Sequence, residues 1–422
     1  MTLLAADSSG MAIGGYASLS LMMFLQFAIW GAWFVVLGLY LERGLKFDAR
    51  WIGWIYSTMA LGTMVTPIII GQLADKYFAS EQLMAVLHLA GAVLLYVMST
   101  IRRPRTFFIV ALIYALVYSP TLVLSNSITF AHIPKSDWFA YVRVWGTIGW
   151  IFVNLVVLGW LFPKFIPNVA ESRYPLLLAA ACSALLGVFS LVLPHTPPSG
   201  GSADFFPALR ALELLRDSSF AVFFGVSFVI TIVLAFYYSF TGNYFRDDII
   251  PRLPASVSVG RLRLAIDWAP LSTIGQFSEM ILLPLLPFFL QWFGMKWVLA
   301  IGMAAWGLRY LAFSLGARSR LSPWTVVAFL ALHGVCFDFF FAAGFIHVEN
   351  QAASEIRASA QGLFTFLTYG LGMFLGNVLS GYVVKLYTQG TAESPRRDWG
   401  AIWMVPCVGV LLSLAVFVVF FR

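Results

Sequence analysis

Charge-poor runs long enough to cross a lipid bilayer recur along the whole chain, and they limit its possible folds more than any other feature. A membrane-spanning helix needs roughly 20 consecutive apolar residues, and runs of about this length lie between short polar connections. The sequence predicts twelve spans: Tyr16–Leu41, Trp51–Ala74, Leu83–Ile101, Thr106–Ile133, Trp138–Leu161, Tyr174–Leu193, Phe220–Phe240, Trp268–Phe293, Trp297–Gly316, Trp324–Ile346, Ala358–Val384 and Trp399–Phe421. We therefore expect an all-α, polytopic membrane protein.

The composition agrees with a membrane protein. Hydrophobic residues make up 60% of the 422 residues and charged residues only 11%, whereas a soluble domain has about 25% charged residues. The net charge of +7 does not indicate nucleic-acid binding, because no basic run alternates with aromatic residues. We expect the lipid bilayer, and no nucleic acid, as a partner.

A linker rich in proline and glycine divides the twelve spans into two sets of six. It contains Pro197-Pro198-Ser199-Gly200-Gly201, which is typical of a flexible connection. The predicted domains are a six-helix bundle over 1–193, a central loop over 194–217 and a second six-helix bundle over 218–422. Two such halves around a binding site at the membrane midplane are common in secondary transporters.

One carboxylate lies near the middle of the tenth span. Asp338 in Trp324–Ile346 costs about 2.5–3.5 kcal/mol on insertion scales, so a compensating role is expected. It could bind substrate or carry a proton. Alternatively, it could belong to a buried ion pair that holds two helices together.

A second carboxylate, Glu279, is the only charge in the eighth span. Gln276 lies one turn before it on the same helix face. An amide beside a carboxylate can recognise donors and acceptors of an uncharged polar ligand. Prolines interrupt this span, as is tolerated where a membrane helix lines a cavity: Pro270, Pro284 and Pro287.

The fifth span contributes a cation to the candidate site. Arg143, Thr147 and Trp150 are spaced so that they share one helix face. A guanidinium, a hydroxyl and an aromatic plane on one face could hold a polar ring compound. Arg143 could instead lie at the membrane interface or neutralise an acid such as Glu279.

Other residues of the spans are weaker candidates. Phe337 adjoins Asp338, and His333 lies five residues before it, either as a ligand contact or as a histidine of the core. Ser239 follows three aromatic residues in the seventh span. Arg309 is expected to extend its charge toward the interface.

Sequence motifs for enzymes and metal sites are absent. The five histidines are scattered, the three cysteines lie far apart, and there is no Gly-x-Ser-x-Gly or phosphate-binding loop. We expect no enzyme activity, no cofactor and no metal.

Several stretches resemble a known family. Gly71-Gln72-Leu73-Ala74-Asp75-Lys76 is similar to the first half of the major facilitator signature, with Gly71, Asp75 and Lys76 as its motif residues. More specific stretches, in order along the chain, resemble the nucleoside:proton symporter family of that superfamily: Phe24-Leu25-Gln26-Phe27-Ala28-Ile29-Trp30-Gly31, Arg143-Val144-Trp145-Gly146-Thr147-Ile148-Gly149, Gln276-Phe277-Ser278-Glu279, Phe337-Asp338-Phe339-Phe340 and Ile356-Arg357-Ala358-Ser359-Ala360-Gln361-Gly362.

The resemblance implies a twelve-helix major facilitator fold, with two six-helix bundles, that imports nucleosides with protons in the inner cell membrane. It also implies a substrate pocket between the halves. In such a low-dielectric pocket, one of the carboxyls, Asp338 or Glu279, could take up a proton outside and release it inside. We expect a monomer. The implied substrate-binding residues come from both halves: Arg143, Thr147, Trp150, Ser239, Gln276, Glu279, His333, Phe337 and Asp338.

The orientation inferred from charge conflicts with the resemblance. One side of the predicted topology carries 17 basic residues and the other 7, so the positive-inside rule places both termini outside. The superfamily keeps both termini in the cytoplasm, and we adopt that orientation.

Two departures from the family leave the substrate open. Phe236 and Ser239 stand where well-known members carry Gln and Asn, and His333 stands where they carry Tyr. The alternatives are a proton-coupled carrier of another neutral polar solute, such as a sugar or nucleobase, or a membrane sensor or enzyme that moves no solute.

Overall fold

The protein is described by a computed structural model that covers residues 13–73, 77–134, 138–198, 207–259, 262–352, 357–390 and 395–422. Asp75 and Lys76 of the predicted signature lie outside these residues, whereas Gly71 lies in a helix. The described chain is mostly helical, with two short antiparallel hairpins: Ser256–Val259 with Leu262–Ala265, and Thr388–Gly390 with Pro395–Arg397.

The first half is built from helices close to the first six predicted spans. Their bounds are Ile13–Phe34 with its extensions Leu37–Leu39 and Tyr40–Gly44, Ala49–Leu73, Ser80–Met98, Pro104–His132, Trp138–Ile151 continued by the π-helix Phe152–Leu161, and Tyr174–Ser190. Part of the central loop, Pro207–Arg216, forms a 3-10 helix.

The second half follows the same plan but with more interruptions. The seventh span is Ser218–Tyr244 continued by Phe245–Ile249. The eighth span begins with Trp268–Leu282 and Leu283–Leu285 and continues into the helix Leu286–Ala317. The part of that helix after Gly294 forms the ninth span. The tenth is Pro323–Ala328, Phe329–Ala331, Leu332–Phe337, Asp338–Ala342 and Ala343–Gln351; the eleventh is Arg357–Thr365, Phe366–Gly372 and Met373–Leu386; and the twelfth is Trp399–Phe420.

The helices agree with the predicted membrane spans. Among the described residues, nine helices are long and apolar enough to cross a membrane. One of these, Trp268–Ala317, breaks at Gly294 with φ of 73°, a conformation that favours glycine, so it accounts for two predicted spans. The nine helices thus cover ten predicted spans. The shorter helix Tyr174–Ser190 and the helix Ala49–Leu73 correspond to the other two, so the helices are consistent with twelve spans. The all-α membrane fold is confirmed.

The two halves approach each other closely at a pair of glycines. Helix Ala49–Leu73 of the first half packs against Met373–Leu386 of the second. A Cβ on Gly53 would lie 3.1 Å from Cα of Gly381, and a Cβ on Gly381 would lie 3.2 Å from Cα of Gly53. Small residues allow membrane helices to pack at short distance, so this contact sets the spacing of the halves on one flank.

A cluster of charged side chains joins the halves at one end of the molecule. We call it the ionic network, and it comprises Glu42, Arg43 and Glu171 of the first half with Arg246, Asp247 and Arg397 of the second.

Three ion pairs of this network cross between the halves. Nη1 of Arg397 lies 2.7 Å from Oε1 of Glu42, Nη2 of Arg43 lies 2.7 Å from Oδ1 of Asp247, and Nε of Arg246 lies 2.9 Å from Oε1 of Glu171. Only 4% of the Arg397 side chain and 8% of that of Glu42 are exposed. The halves are therefore held together at this end by partly desolvated charge pairs.

We expect Arg397→Ala to lower the thermal unfolding temperature of the purified protein in detergent. The change leaves Glu42 and Asp247 without their shared partner, and removing one member of a buried pair costs about 3–5 kcal/mol. The control is Arg50→Ala, which removes a pair with Asp48 (3.0 Å) at an arginine that is 49% exposed. Such surface pairs contribute about 0–1 kcal/mol, so Arg50→Ala should lower the unfolding temperature less. An equal decrease of the unfolding temperature in both variants would contradict a stabilising role of the network.

Candidate functional site

The fifth span presents its three predicted residues beside the first span. The Arg143 guanidinium lies over the ring of Phe27, with its carbon 3.9 Å from the ring centroid. Trp150 meets Trp30 edge to face at 5.6 Å. Thr147 lies between them on the same helix and is partly exposed. The first span thus holds both the cation and the aromatic plane in place.

The eighth and tenth spans carry the predicted residues of the second half. Gln276 and Glu279 lie on Trp268–Leu282, which ends at the 3-10 turn around Pro284, so the predicted proline interruption is present. The Ser278 hydroxyl donates to the Ala331 carbonyl at 2.5 Å. This bond ties the two spans together beside Glu279.

Electrostatic interactions connect the three predicted charges across the halves. Glu279 is within electrostatic range of Arg143 of the first half and of Asp338 on the neighbouring span. Within the described part of the chain, the carboxylate of Glu279 makes no salt bridge or hydrogen bond. The direct Arg143–Glu279 ion pair considered from the sequence is therefore not formed.

Several buried polar atoms in this region have no hydrogen-bond partner among the described residues. They are both carboxyl oxygens of Asp338, Oε1 of Gln276, and the indole nitrogens of Trp30 and Trp150. Buried polar groups are nearly always satisfied. Unsatisfied ones on, or in contact with, residues predicted to bind substrate indicate a place for a ligand, water or a proton.

The backbone is irregular at Asp338. The α-helix Leu332–Phe337 changes there to a π-helical turn, Asp338–Ala342. Single π-helical turns inside membrane and soluble helices are frequent at functional sites. The turn makes Asp338 the first residue of a locally widened segment, and its side chain is only 1% exposed.

His333 and Phe337 form an aromatic stack with the seventh span. Their ring centroids lie 5.8 Å apart, and His333 also stacks on Tyr237 at 5.4 Å. In the part of the chain that the structure describes, His333 makes no hydrogen bond to Asp338. Its partner is Arg309, whose Nη1 lies 3.2 Å from Nδ1 of His333.

The expectation for Arg309 is wrong. Its side chain is 0% exposed, so it does not extend to the interface. The aromatic rings of Tyr237 and Trp306 surround the guanidinium, each with its centroid 4.1 Å from the guanidinium carbon. Aromatic faces attract a cation electrostatically, and this compensation by neighbouring helices is not visible in the local sequence.

Ser239 is buried, and its hydroxyl already has a hydrogen-bond partner. Its hydroxyl donates to Oδ1 of Asn377 on the eleventh span at 2.8 Å. Its contact with substrate remains a prediction, as do the roles of the other site residues. Among the described residues there is no group of three or more His, Cys, Asp or Glu that could hold a metal.

Sequence reasoning missed the residues that support the site. Phe27, Trp30 and Tyr238 were not predicted, yet Phe27 lies under Arg143, Trp30 meets Trp150, and Tyr238 contacts Phe34 of the first half at 6.1 Å. Phe27 and Trp30 lie in one of the family-like stretches, which was the only available signal. Aromatic residues are too common in membrane helices to stand out by type.

Comparisons with known proteins identify the family of the chain. A family model described as "Nucleoside H+ symporter" matches residues 13–422. YegT of Escherichia coli (strain K12) is 38% identical over 415 residues, covering 96% of this chain and 93% of YegT. The nucleoside permease NupG of the same strain is 32% identical over 397 residues, covering 92% of this chain and 91% of NupG.

Structural comparison leads to the same family. The crystal structure of the nucleoside transporter NupG matches with a TM-score of 0.84 and 31% identity, and the match covers 97% of this chain and 100% of that one. The predicted family and the prediction of a transporter rather than an enzyme are confirmed. The chain belongs to the nucleoside:proton symporter family of multi-pass membrane transporters.

Proposed function

We propose that this chain imports nucleosides together with protons and binds the nucleoside between its two halves. The observation that carries the proposal is the arrangement of charges in the candidate site. Glu279 lies in electrostatic range of both Arg143 and Asp338, and the Asp338 oxygens have no partner among the described residues. In a symporter, such unpaired intramembrane acids are the natural carriers of the coupled proton.

The chemistry of the site suits a nucleoside. Trp150 and Phe337 can stack on the base, and base–aromatic stacking contributes about 1–3 kcal/mol in other proteins. Gln276, whose Oε1 is free, can pair with the base edge. Arg143 and Thr147 supply donors from the opposite half. Substrate contacts from both halves would link binding to their relative movement.

The carboxyls can couple substrate to protons. A carboxyl in a low-dielectric pocket can take up a proton when the pocket faces one side of the membrane and release it on the other. The charge of Glu279 acts on Asp338. Protonation of one acid would therefore alter how the other interacts with Arg143 and with the ribose hydroxyls.

Alternating access would require the ionic network to open and close. We infer that it closes the extracellular side, with both termini and the Gly71, Asp75 and Lys76 motif on the cytoplasmic side of the inner membrane. The moving bodies would be 1–193 and 218–422, joined by the cytoplasmic loop 194–217. Because one chain supplies residues on both sides of the site, a monomer would suffice.

We predict that Asp338→Asn or Glu279→Gln abolishes nucleoside accumulation driven by a proton gradient. The replacements keep the size of each side chain but remove the group that can exchange a proton. Uptake of labelled uridine and adenosine into proteoliposomes, with a protonophore control, measures this. Counterflow is expected to survive in one variant, since exchange needs no net proton movement.

The matched control for these variants is Asp48→Asn, which removes a partly exposed acid outside the membrane spans. It should transport like the wild type. Wild-type accumulation by both Asp338→Asn and Glu279→Gln would exclude these acids from coupling. Competition by sugars and free bases in the same assay would show whether another neutral polar solute is preferred.

Arg143→Ala should raise the KM for nucleoside by roughly 10- to 100-fold. A hydrogen bond to a charged group contributes about 1.5–3 kcal/mol, and each 1.4 kcal/mol corresponds to tenfold in affinity. Arg143→Lys retains the charge over Phe27 and should raise the KM for nucleoside less than Arg143→Ala does. An unchanged KM in Arg143→Ala would assign Arg143 a purely structural role.

The proposed orientation predicts that a phosphatase fused to the C-terminus is inactive, because the enzyme folds only outside the cytoplasm. The same phosphatase inserted after Asn168 should be active, because this position lies near the ionic network on the proposed outer side. The reverse pattern would place both termini outside, as the distribution of basic residues suggests.

A further inference from the structure

Arg309 is a buried cation that the proposed transport chemistry does not use. Among the described residues, no carboxylate forms a salt bridge with it, and its Nε and Nη2 have no hydrogen-bond partner. Arginine remains protonated under physiological conditions. An unpaired buried charge is costly, so its presence here calls for a role beyond the cation–π contacts with Tyr237 and Trp306.

The hydrogen bond from Arg309 determines the protonation of His333. A guanidinium can only donate, so Nδ1 of His333, 3.2 Å from Nη1, must accept with its lone pair. An imidazole with an unprotonated Nδ1 is neutral and carries its proton on Nε2. Arg309 thus selects one of the two neutral tautomers of His333.

The Nε2–H group has no hydrogen-bond partner within the described residues, and the ring lies in the candidate site. Phe337 stacks on it, and a Cβ on Gly275, the neighbour of Gln276, would lie 2.9 Å from Cβ of His333. Tyr238 meets the ring edge to face at 6.4 Å and also contacts Phe34 of the first half. Tyr238 therefore connects the imidazole to the first half.

We propose that Arg309 is a positioning residue that fixes His333 as the Nε2–H tautomer, so that His333 donates a hydrogen bond to an acceptor atom of the nucleoside. The inference rests on the proposed function and adds a specificity element to the same site. The acceptor is a ring nitrogen or carbonyl of the base, or an oxygen of the sugar. A group that can only donate at this position would be rejected, because two donors cannot pair.

The tautomer can be observed by nitrogen NMR of full-length protein in lipid nanodiscs with labelled histidine. The spectrum of His333→Gln identifies the His333 signals by difference. We expect a bare Nδ1 and a protonated Nε2 in the wild type, and a mixture of protonation forms in Arg309→Met, which has no donor. A protonated Nδ1 in the wild type, or an unchanged His333 in Arg309→Met, would overturn the role of Arg309.

A second readout does not depend on the folding of Arg309→Met. Saturating uridine or adenosine should shift the Nε2 signal of wild-type His333, as expected for a new hydrogen bond. No shift with either nucleoside would overturn the substrate contact.

Transport supplies the matched functional test. His333→Gln places an amide N–H near the position of Nε2 and should change the KM by less than about threefold, whereas His333→Leu has no donor and should raise it roughly tenfold. Deaza and deoxy nucleosides then distinguish base from sugar acceptors. The analogue that lacks the acceptor should have a raised KM in the wild type. Its KM should not rise further in His333→Leu, because the hydrogen bond is already absent.

Equal KM values for His333→Leu and the wild type would contradict the proposal. Absence of any nucleoside transport by the wild type would instead refute the proposed function. The tautomer measured without substrate would still decide what Arg309 does to His333, so the two failures are distinguishable.

Discussion

An acid without a partner inside the membrane is the constraint on which this account depends. Both oxygens of Asp338 are buried without a hydrogen-bond partner among the described residues, and the charge that acts on Asp338 is that of another acid, Glu279. A carboxylate in such surroundings is unfavourable unless it is protonated or bound to a ligand. The opposing cation, Arg143, belongs to the other half, so the charge balance of the site depends on how the halves are arranged.

The contacts between the halves are partly apolar and partly ionic. Buried apolar residues of both halves belong to one hydrophobic core. Between them, described contacts include the close approach of Gly53 and Gly381 and the ionic network at one end. Ion pairs can exchange for water when the halves separate, whereas an apolar core cannot. The network also gives a structural reason for basic residues such as Arg43, Arg246 and Arg397 on the side that we propose to be extracellular.

The spans could be predicted from the sequence because they follow from local properties, and intramembrane charge, which is equally local, provided the candidates for the site. Span length and the rarity of intramembrane charge single out Arg143, Glu279 and Asp338 without a structure. The burial of Arg309 was missed, because its compensation comes from Tyr237 and Trp306, and hydropathy does not show which way a side chain faces. The Arg397–Glu42 pair joins residues 355 positions apart, a contact that no local pattern can indicate. The partnership of Ser239 with Asn377 likewise depends on tertiary packing.

The most direct test of the central claim is to record proton movement caused by the nucleoside itself. Proteoliposomes with a pH-sensitive dye inside and no imposed gradient would receive uridine or adenosine outside. If the intramembrane acids carry protons with the substrate, the lumen acidifies as the nucleoside enters. The double variant Asp338→Asn, Glu279→Gln should show no acidification. Nucleoside entry without any acidification in the wild type would contradict the account.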